Sequence, residues 1–552
     1  MPRLNCPKRR KFYVPGIFLP FAGFAALIWF LIRVIPKPSR ALYPCQRVAT
    51  PIASGFVAWI VTSILGSLPW VYTFKLAKRR LKTSKWTAAC LFSLSMISLY
   101  VVIAFVGTRP NYAQDAPFVP EAANQPIGVG LGIHPGRVVW EHDPDATNEN
   151  LFGNWWDDAN TDPNVVDRMM TDTMLHLTGE TSIREAWNAV FRYYNSRHNR
   201  GNNGYSSGEK IAIKINMNNS NSGEWSESTY NTSPQVIDSV VRQLIDDVGL
   251  SGANITFYDA SRGIGDPVIQ AIRKKPGRDY QDVRFVVSPA RMGPGRIAAE
   301  YETGHPVCFA DTTMQDYNTT YLPRCVVEAD YQINIGILKG HNLAGVTLCA
   351  KNFFGSLYRP ANAEDGGNGW TPNGTDSANH GIHGFMNPFY YSAWKMSGRP
   401  AKSYNALVDL MGHDHLGGKV VVHIVDGLYS AKVQNANRTG LSIVKWRSAP
   451  FNNDWPSSIF VSQDGVALES VCIDFMRNEP EMEWIRGTLD NYLHEAALAD
   501  NPPSGTFYDP EGDGTRMTSL GVHEHWNNPG DRQYSGNKNA GKGIELVSVY
   551  PD

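Results

Sequence analysis

The sequence is without acid where it begins: residues 1–110 contain no aspartate or glutamate. Sixteen of the 51 lysines and arginines lie there, which leaves 35 basic against all 52 acidic side chains in residues 111–552. That net of −17 lacks the basic face that non-specific nucleic-acid binding requires, so no nucleic-acid partner is expected. Cysteine is scarce as well. The seven cysteines form no C-x-x-C pair, which argues against a zinc ribbon or a ferredoxin-type cluster, and no iron–sulphur cluster is expected. There is no phosphate-binding G-x-x-x-x-G-K-[ST] loop and no nucleophile triad stands out. RGIGD (262–266) is too short for a dinucleotide fingerprint. No internal repeat is present.

What the acid-free segment does contain is apolar. YVPGIFLPFAGFAALIWFLIRVI (13–35), PIASGFVAWIVTSILGSLPWVYTF (51–74) and TAACLFSLSMISLYVVIAFVG (87–107) each match the roughly 20 residues that cross a hydrocarbon core as a helix. Eleven lysines and arginines precede the first run or join the second to the third, against five in the other loops. That bias predicts a cytoplasmic N-terminus and a large domain outside the cytoplasm, on a bacterial inner membrane. The run KRRKF (8–12) also fits a twin-arginine export signal, but two further spans follow it and no small-residue cleavage site is evident.

The expected organisation is a three-helix membrane anchor over 1–107 and a linker with the first part of the soluble domain over 108–204. An α/β core follows over 205–480, and then an extension over 481–552. Within the core, EKIAIKINM, NITFYDA, DVRFVV, YQINIGIL, KVVVHIVDGL and SSIFVSQ read as strands. They alternate with helices such as SPQVIDSVVRQLIDDVG and DGVALESVCIDFMRN, which predicts an α/β fold with a largely parallel sheet and flanking helices. Outside the cytoplasm a disulfide is permitted; Cys308 with Cys325 is one reading and two separate buried thiols the other.

In parallel sheets ligands gather at the carboxyl ends of the strands. Lys214 and Asn216 share one face there, Asp259 and Ser261 end the next strand, and Lys339 and His341 end another. Asp426 ends KVVVHIVDG and Asp464 follows SSIFVSQ. KGHNLAGVTLCAKNFFG (339–355) is expected to turn helical, with Ala344, Thr347, Lys351 and Gly355 on one face. Lys339 and Lys351 would then enter one cleft, with Asn352 beside them, and such a place suits a small anionic ligand. The plain alternative is a set of lysines paired with structural aspartates.

The segments KINM, D-x-S, ADYQINIGILKGHNLAGVTLCAKNFFG, VDG and SQDGVALESVCIDFM resemble the family known as domain of unknown function 362, over about residues 205–480. The resemblance implies an α/β fold and a site, not a reaction. Some members carry an iron–sulphur module, whose cysteines are missing here. The layout of strand-end acid, Lys/His loop and later histidines is also similar to nickel-pincer lactate racemases, without their glycine-glycine-arginine-lysine run.

All fourteen histidines fall after residue 110. His380 with His383, His413 with His415, and His523 with His525 sit at the short spacings that suit a divalent metal, although exposed loop histidines are the commoner explanation. His341 is the strongest candidate because it lies in the expected cleft, and a site of His341, His380 and Asp426 would permit metal-assisted chemistry. The expected roles are therefore His341, Lys339 and Lys351 in catalysis, with Lys214, Asn216, Asn352, Thr347, Asp426 and Asp464 in ligand binding. A protein that captures an anionic solute or a metal without turnover is the other reading.

Overall fold

The computed structural model describes residues 122–551 apart from 219–221, 226–229, 311–318, 342–343, 358–400, 434–442, 483–484, 486 and 539–540. The three expected spans and His380 lie outside the described residues, among which no helix is long and apolar enough to cross a membrane.

Ten strands make one sheet. They are β1 (Arg137–His142), β2 (Ile211–Ile215), β3 (Ile255–Asp259), β4 (Arg284–Val287), β5 (Ile297–Ala298), β6 (Tyr331–His341), β7 (Gly345–Thr347), β8 (Val420–Ala431), β9 (Ser458–Ser462) and β10 (Glu545–Val549). Their order is β10-β1-β9-β8-β6-β2-β3-β4-β5, with β7 folded back on β6. Only β7 and β9 run against the rest. The sheet is therefore largely parallel, as the alternation of strands and helices predicts.

Alternation along each strand divides the core in two. Ile211, Ile213 and Ile215 of β2, with Ile333, Ile335 and Ile337 of β6, pack beneath α1 (Pro163–Thr178), α2 (Ile183–Arg197), α3 (Pro234–Arg242) and α4 (Asp266–Arg273). Ala212, Tyr258 and Leu338 face α5 (Cys349–Asn352), α6 (Ala406–Gly412), α7 (Gly465–Asn478) and α8 (Asn491–Ala497). The result is a three-layer sandwich in which both faces of the sheet are apolar, as a buried parallel sheet requires. Local signals set the helix ends. The Asp162 side chain accepts from the Asn164 and Val165 amides at the start of α1, Pro163 opens the helix, and Gly179 closes it in the left-handed region at φ 77°.

Two sequence expectations are corrected. The segment after Leu338 does not turn helical at once: Lys339, Gly340 and His341 prolong β6 and pair with Thr347, Val346 and Gly345. Gly345 takes φ 84°, and a Cβ on Gly340 would lie 2.0 Å from the Lys432 carbonyl oxygen, so glycine permits both the turn and the close approach. The helix shrinks to Cys349–Asn352, followed by a 3-10 turn over Phe353–Ser356. The second correction concerns SSIFVSQ, whose strand β9 is antiparallel to β8. Its far end therefore points to the opposite edge of the sheet from the ends of β2, β3 and β6. No disulfide joins Cys308 to Cys325, and Cys349 and Cys472 are buried thiols.

Candidate functional site

β2, β3 and β6 end side by side, and the residues at those ends form one connected polar network. Lys214 is fully buried. Its Nζ donates to Asp259 Oδ2 at 3.1 Å, to Asn352 Oδ1 at 3.0 Å and to the Ile215 carbonyl at 2.6 Å. The Asn216 amide also donates to Asn352 Oδ1 (3.2 Å), while its own Oδ1 accepts from Lys339 Nζ at 3.0 Å. Asn352 is held from behind by Asn334, in the middle of β6, which accepts from Asn352 Nδ2 at 2.8 Å and donates to the Cys349 carbonyl. Gly355 sits over the ion pair: a Cβ there would lie 2.8 Å from Lys214 Nζ and 2.9 Å from Asp259 Oδ1.

The charge in this network does not balance. Asp259 is the one carboxylate, among the described residues, that acts on Lys214, Lys339 and Lys351. It is already engaged by the Met217 amide at Oδ2 and by the amide and hydroxyl of Ser261 at Oδ1. Lys351 is buried, and its Nζ lies 3.9 Å from the centre of the Phe354 ring, with no hydrogen-bond acceptor among the described residues. Burial pushes the Lys351 ammonium well below the ordinary lysine value, and the charges of Arg262, Lys339 and Lys214 push it further. Burial likewise lowers Lys339 to about 7, with Asp259 opposing and Arg262 and Lys214 reinforcing the shift. Lys214 is lowered by burial and partly restored by Asp259.

Around these ammonium groups lie buried polar atoms with no hydrogen-bond partner. Thr347, directly opposite Lys339 in the β6–β7 hairpin, leaves Oγ1 unpaired. So do both amide atoms of Asn231, just before α3. The neighbouring Thr232 exchanges backbone and side-chain hydrogen bonds with Asn216, so this segment is tied to the same strand end. Orphaned buried polar groups are costly and uncommon in native proteins, and their collection at one strand edge marks a place built to receive polar atoms.

The remaining candidates from the sequence are placed differently. Asp426 is buried within β8, where Oδ2 accepts from the Ser233 amide (2.7 Å) and Oδ1 from the Leu428 amide (3.2 Å); it anchors the residue that precedes α3. Asp464, at the opposite sheet edge, caps α7 through the Ala467 amide and holds the Leu131 and Val522 amides on its other oxygen. Burial raises Asp464 to about 7, against those backbone donors. His341 Nδ1 accepts from the Ala344 amide at 3.1 Å and so closes the hairpin turn. Asn334 and Asn231 join the site without having been singled out for it, and Asp259, placed at the strand-end edge from sequence but given no role, is its carboxylate.

A separate group of residues could hold a metal ion. One ligand atom from each of Asp490, His523 and His525 lies within 4.8 Å of the others, and all three residues are buried. This is not the set expected from sequence, although the H-x-H spacing of residues 523–525 is part of it.

The chain matches no curated protein. Residues 211–474, from the start of β2 into α7, match the family described as Domain of unknown function (DUF362), and this match supports assigning the α/β core to that family.

Proposed function

We propose that the ends of β2, β3 and β6 form the binding site of a small anionic ligand, and that Lys339 exchanges a proton with it. The observation that carries this reading is a cluster of three buried lysines that share one carboxylate, Asp259, among the described residues, with Lys351 Nζ lying against the Phe354 ring. A buried charge without a counter-charge is unfavourable by several kcal/mol. A ligand carrying a carboxylate or phosphate group removes that cost, and Thr347 and Asn231 supply uncommitted polar atoms for its remaining oxygens. Lys339, with its pKa lowered to about 7, is poised to act as acid or base near neutrality. Capture without turnover is the competing reading, and conversion of any bound anion by the purified protein decides against it.

The pH dependence follows from the sign of the shift. A lysine lowered to about 7 in the fold sheds its proton there while the unfolded chain keeps it, so stability rises with pH from about 7 towards the ordinary lysine value. An anion favours the protonated form, so affinity moves the other way. Titration calorimetry with phosphate, sulphate and short carboxylates, in buffers of different ionisation heat, is expected to show proton uptake on binding. Affinity should fall above pH 7 by up to about tenfold per pH unit for one coupled proton. Binding that is indifferent to pH between 6 and 9 counts against the assignment.

The same reading places the domain outside the cytoplasm of a bacterium, held by the three apolar runs before residue 110. What supports this is the length of those runs and the asymmetry of the basic residues between them. Alkaline phosphatase fused after residue 115 should be active and a fluorescent protein at the same point dark; the reverse pattern would invert the topology.

A further inference from the structure

Outside the lysine cluster, a collection of buried ligating groups among the described residues lies where the segment 522–525 crosses α7 and the start of α8. His523 and His525, two apart on an extended stretch, share a side of the chain. The rings are fixed from behind through Nδ1. His523 Nδ1 lies 2.8 Å from Ser470 Oγ, and His525 Nδ1 lies 2.7 Å from Asp474 Oδ1. Asp474 is itself held at Oδ2 by the Trp526 amide (3.0 Å) and the Tyr534 hydroxyl (2.9 Å). Ser470 and Asp474 are one turn apart on α7, so a single helix face orients both imidazoles. The other nitrogen of His523, Nε2, is buried and has no hydrogen-bond partner, and that of His525 faces Asp490. Asp490 completes the group; its Oδ2 accepts from Arg477 Nη1 at 2.6 Å and lies 3.5 Å from His525 Nε2.

We propose that Asp490, His523 and His525 bind a divalent transition-metal ion through one carboxylate oxygen and the two Nε2 atoms, and that the ion ties the segment 522–525 to α7 and α8. Two imidazoles with one carboxylate suit zinc, iron, nickel or cobalt and not the all-oxygen preference of magnesium or calcium. Imidazoles oriented by a carboxylate and a hydroxyl at their far nitrogens are the usual support of a metal site. A purely structural account makes His525 an imidazolium between Asp474 and Asp490. That account leaves His523 unexplained: it is grouped with Asp490 and His525, and its buried Nε2 has no hydrogen-bond partner. Arg477 bonds the same Asp490 oxygen, Oδ2, that lies nearest His525 Nε2, and a carboxylate oxygen has a second lone pair for the ion.

The test uses the full chain, stripped with a chelator and titrated with Co2+ alone, whose visible absorption reports nitrogen ligands and low coordination number. Wild type is expected to take up one equivalent with visible bands that Zn2+ abolishes, and to gain thermal stability as it does so. His523→Gln and Asp490→Asn should each lose at least tenfold in affinity while keeping the far-ultraviolet circular dichroism of wild type. Should either fail to fold, Ser470→Ala decides: it leaves the ligands in place but frees the His523 ring, and should weaken binding about tenfold. The proposal is overturned if folded wild type takes up no stoichiometric Co2+, if uptake is unchanged in the two ligand variants, or if Ser470→Ala binds like wild type.

Discussion

Asp259→Asn is expected to destabilise the protein by about 3–5 kcal/mol at neutral pH, the usual cost of removing one partner from a buried ion pair. The carboxylate accepts four hydrogen bonds, from Lys214 Nζ, the Met217 amide, and the amide and hydroxyl of Ser261. An asparagine can replace only one of its two oxygens, so its NH2 group faces donors whichever way it turns. The same change strips the lysine cluster of the one negative charge that acts on it among the described residues. Denaturant unfolding measures the loss, and raising the pH from 7 to 10 should recover part of it, because a neutral lysine needs no counter-charge. A loss below about 1 kcal/mol, or one indifferent to pH, would mean that Lys214 is satisfied by Asn352 and the Ile215 carbonyl alone.

Lys351→Met should act in the opposite sense on stability. Methionine matches the lysine stem in length, keeps contact with Phe354 and removes an ammonium that has no acceptor among the described residues. Replacing buried charge with an apolar side chain of similar volume gives a gain of about 1–3 kcal/mol in favourable cases, read as a higher thermal midpoint. Anion affinity should fall about 100-fold, which is about 3 kcal/mol. A gain in stability joined to a loss of binding is what a residue kept for its ligand predicts. Destabilisation with binding intact would instead make Lys351 a structural group.

Much of this site is legible in the sequence because strand ends announce themselves. The spacing of Lys214 and Asn216 puts them on one face, and Lys339 closes an apolar run; the structure joins Lys214, Asn216, Lys339 and Asn352 in one network. Strand direction is not written in the periodicity, however. SSIFVSQ reads the same whether it runs up or down, and only the return of the chain after β8 sends Asp464 to the far edge. The hairpin over 339–347 was hidden for a related reason: Ala344, Thr347 and Lys351 fit a helical face, and it takes the approach of Lys432 to Gly340 to explain the extended course. The histidine group illustrates a third limit. The H-x-H spacing is visible, but nothing local connects it to Asp490 or to the helix face of Ser470 and Asp474.

The place of β10 beside β1 bears on how the protein is made. Arg137 at the start of β1 bonds Glu545 at the start of β10 across 408 residues of chain. On a ribosome adding about 5–20 residues per second, β1 waits tens of seconds for that neighbour. Until then an edge of the main sheet stands open, with unpaired amides that another nascent chain could join. Folding of this domain is therefore expected to be slow and late, and to depend on protection of that edge during synthesis.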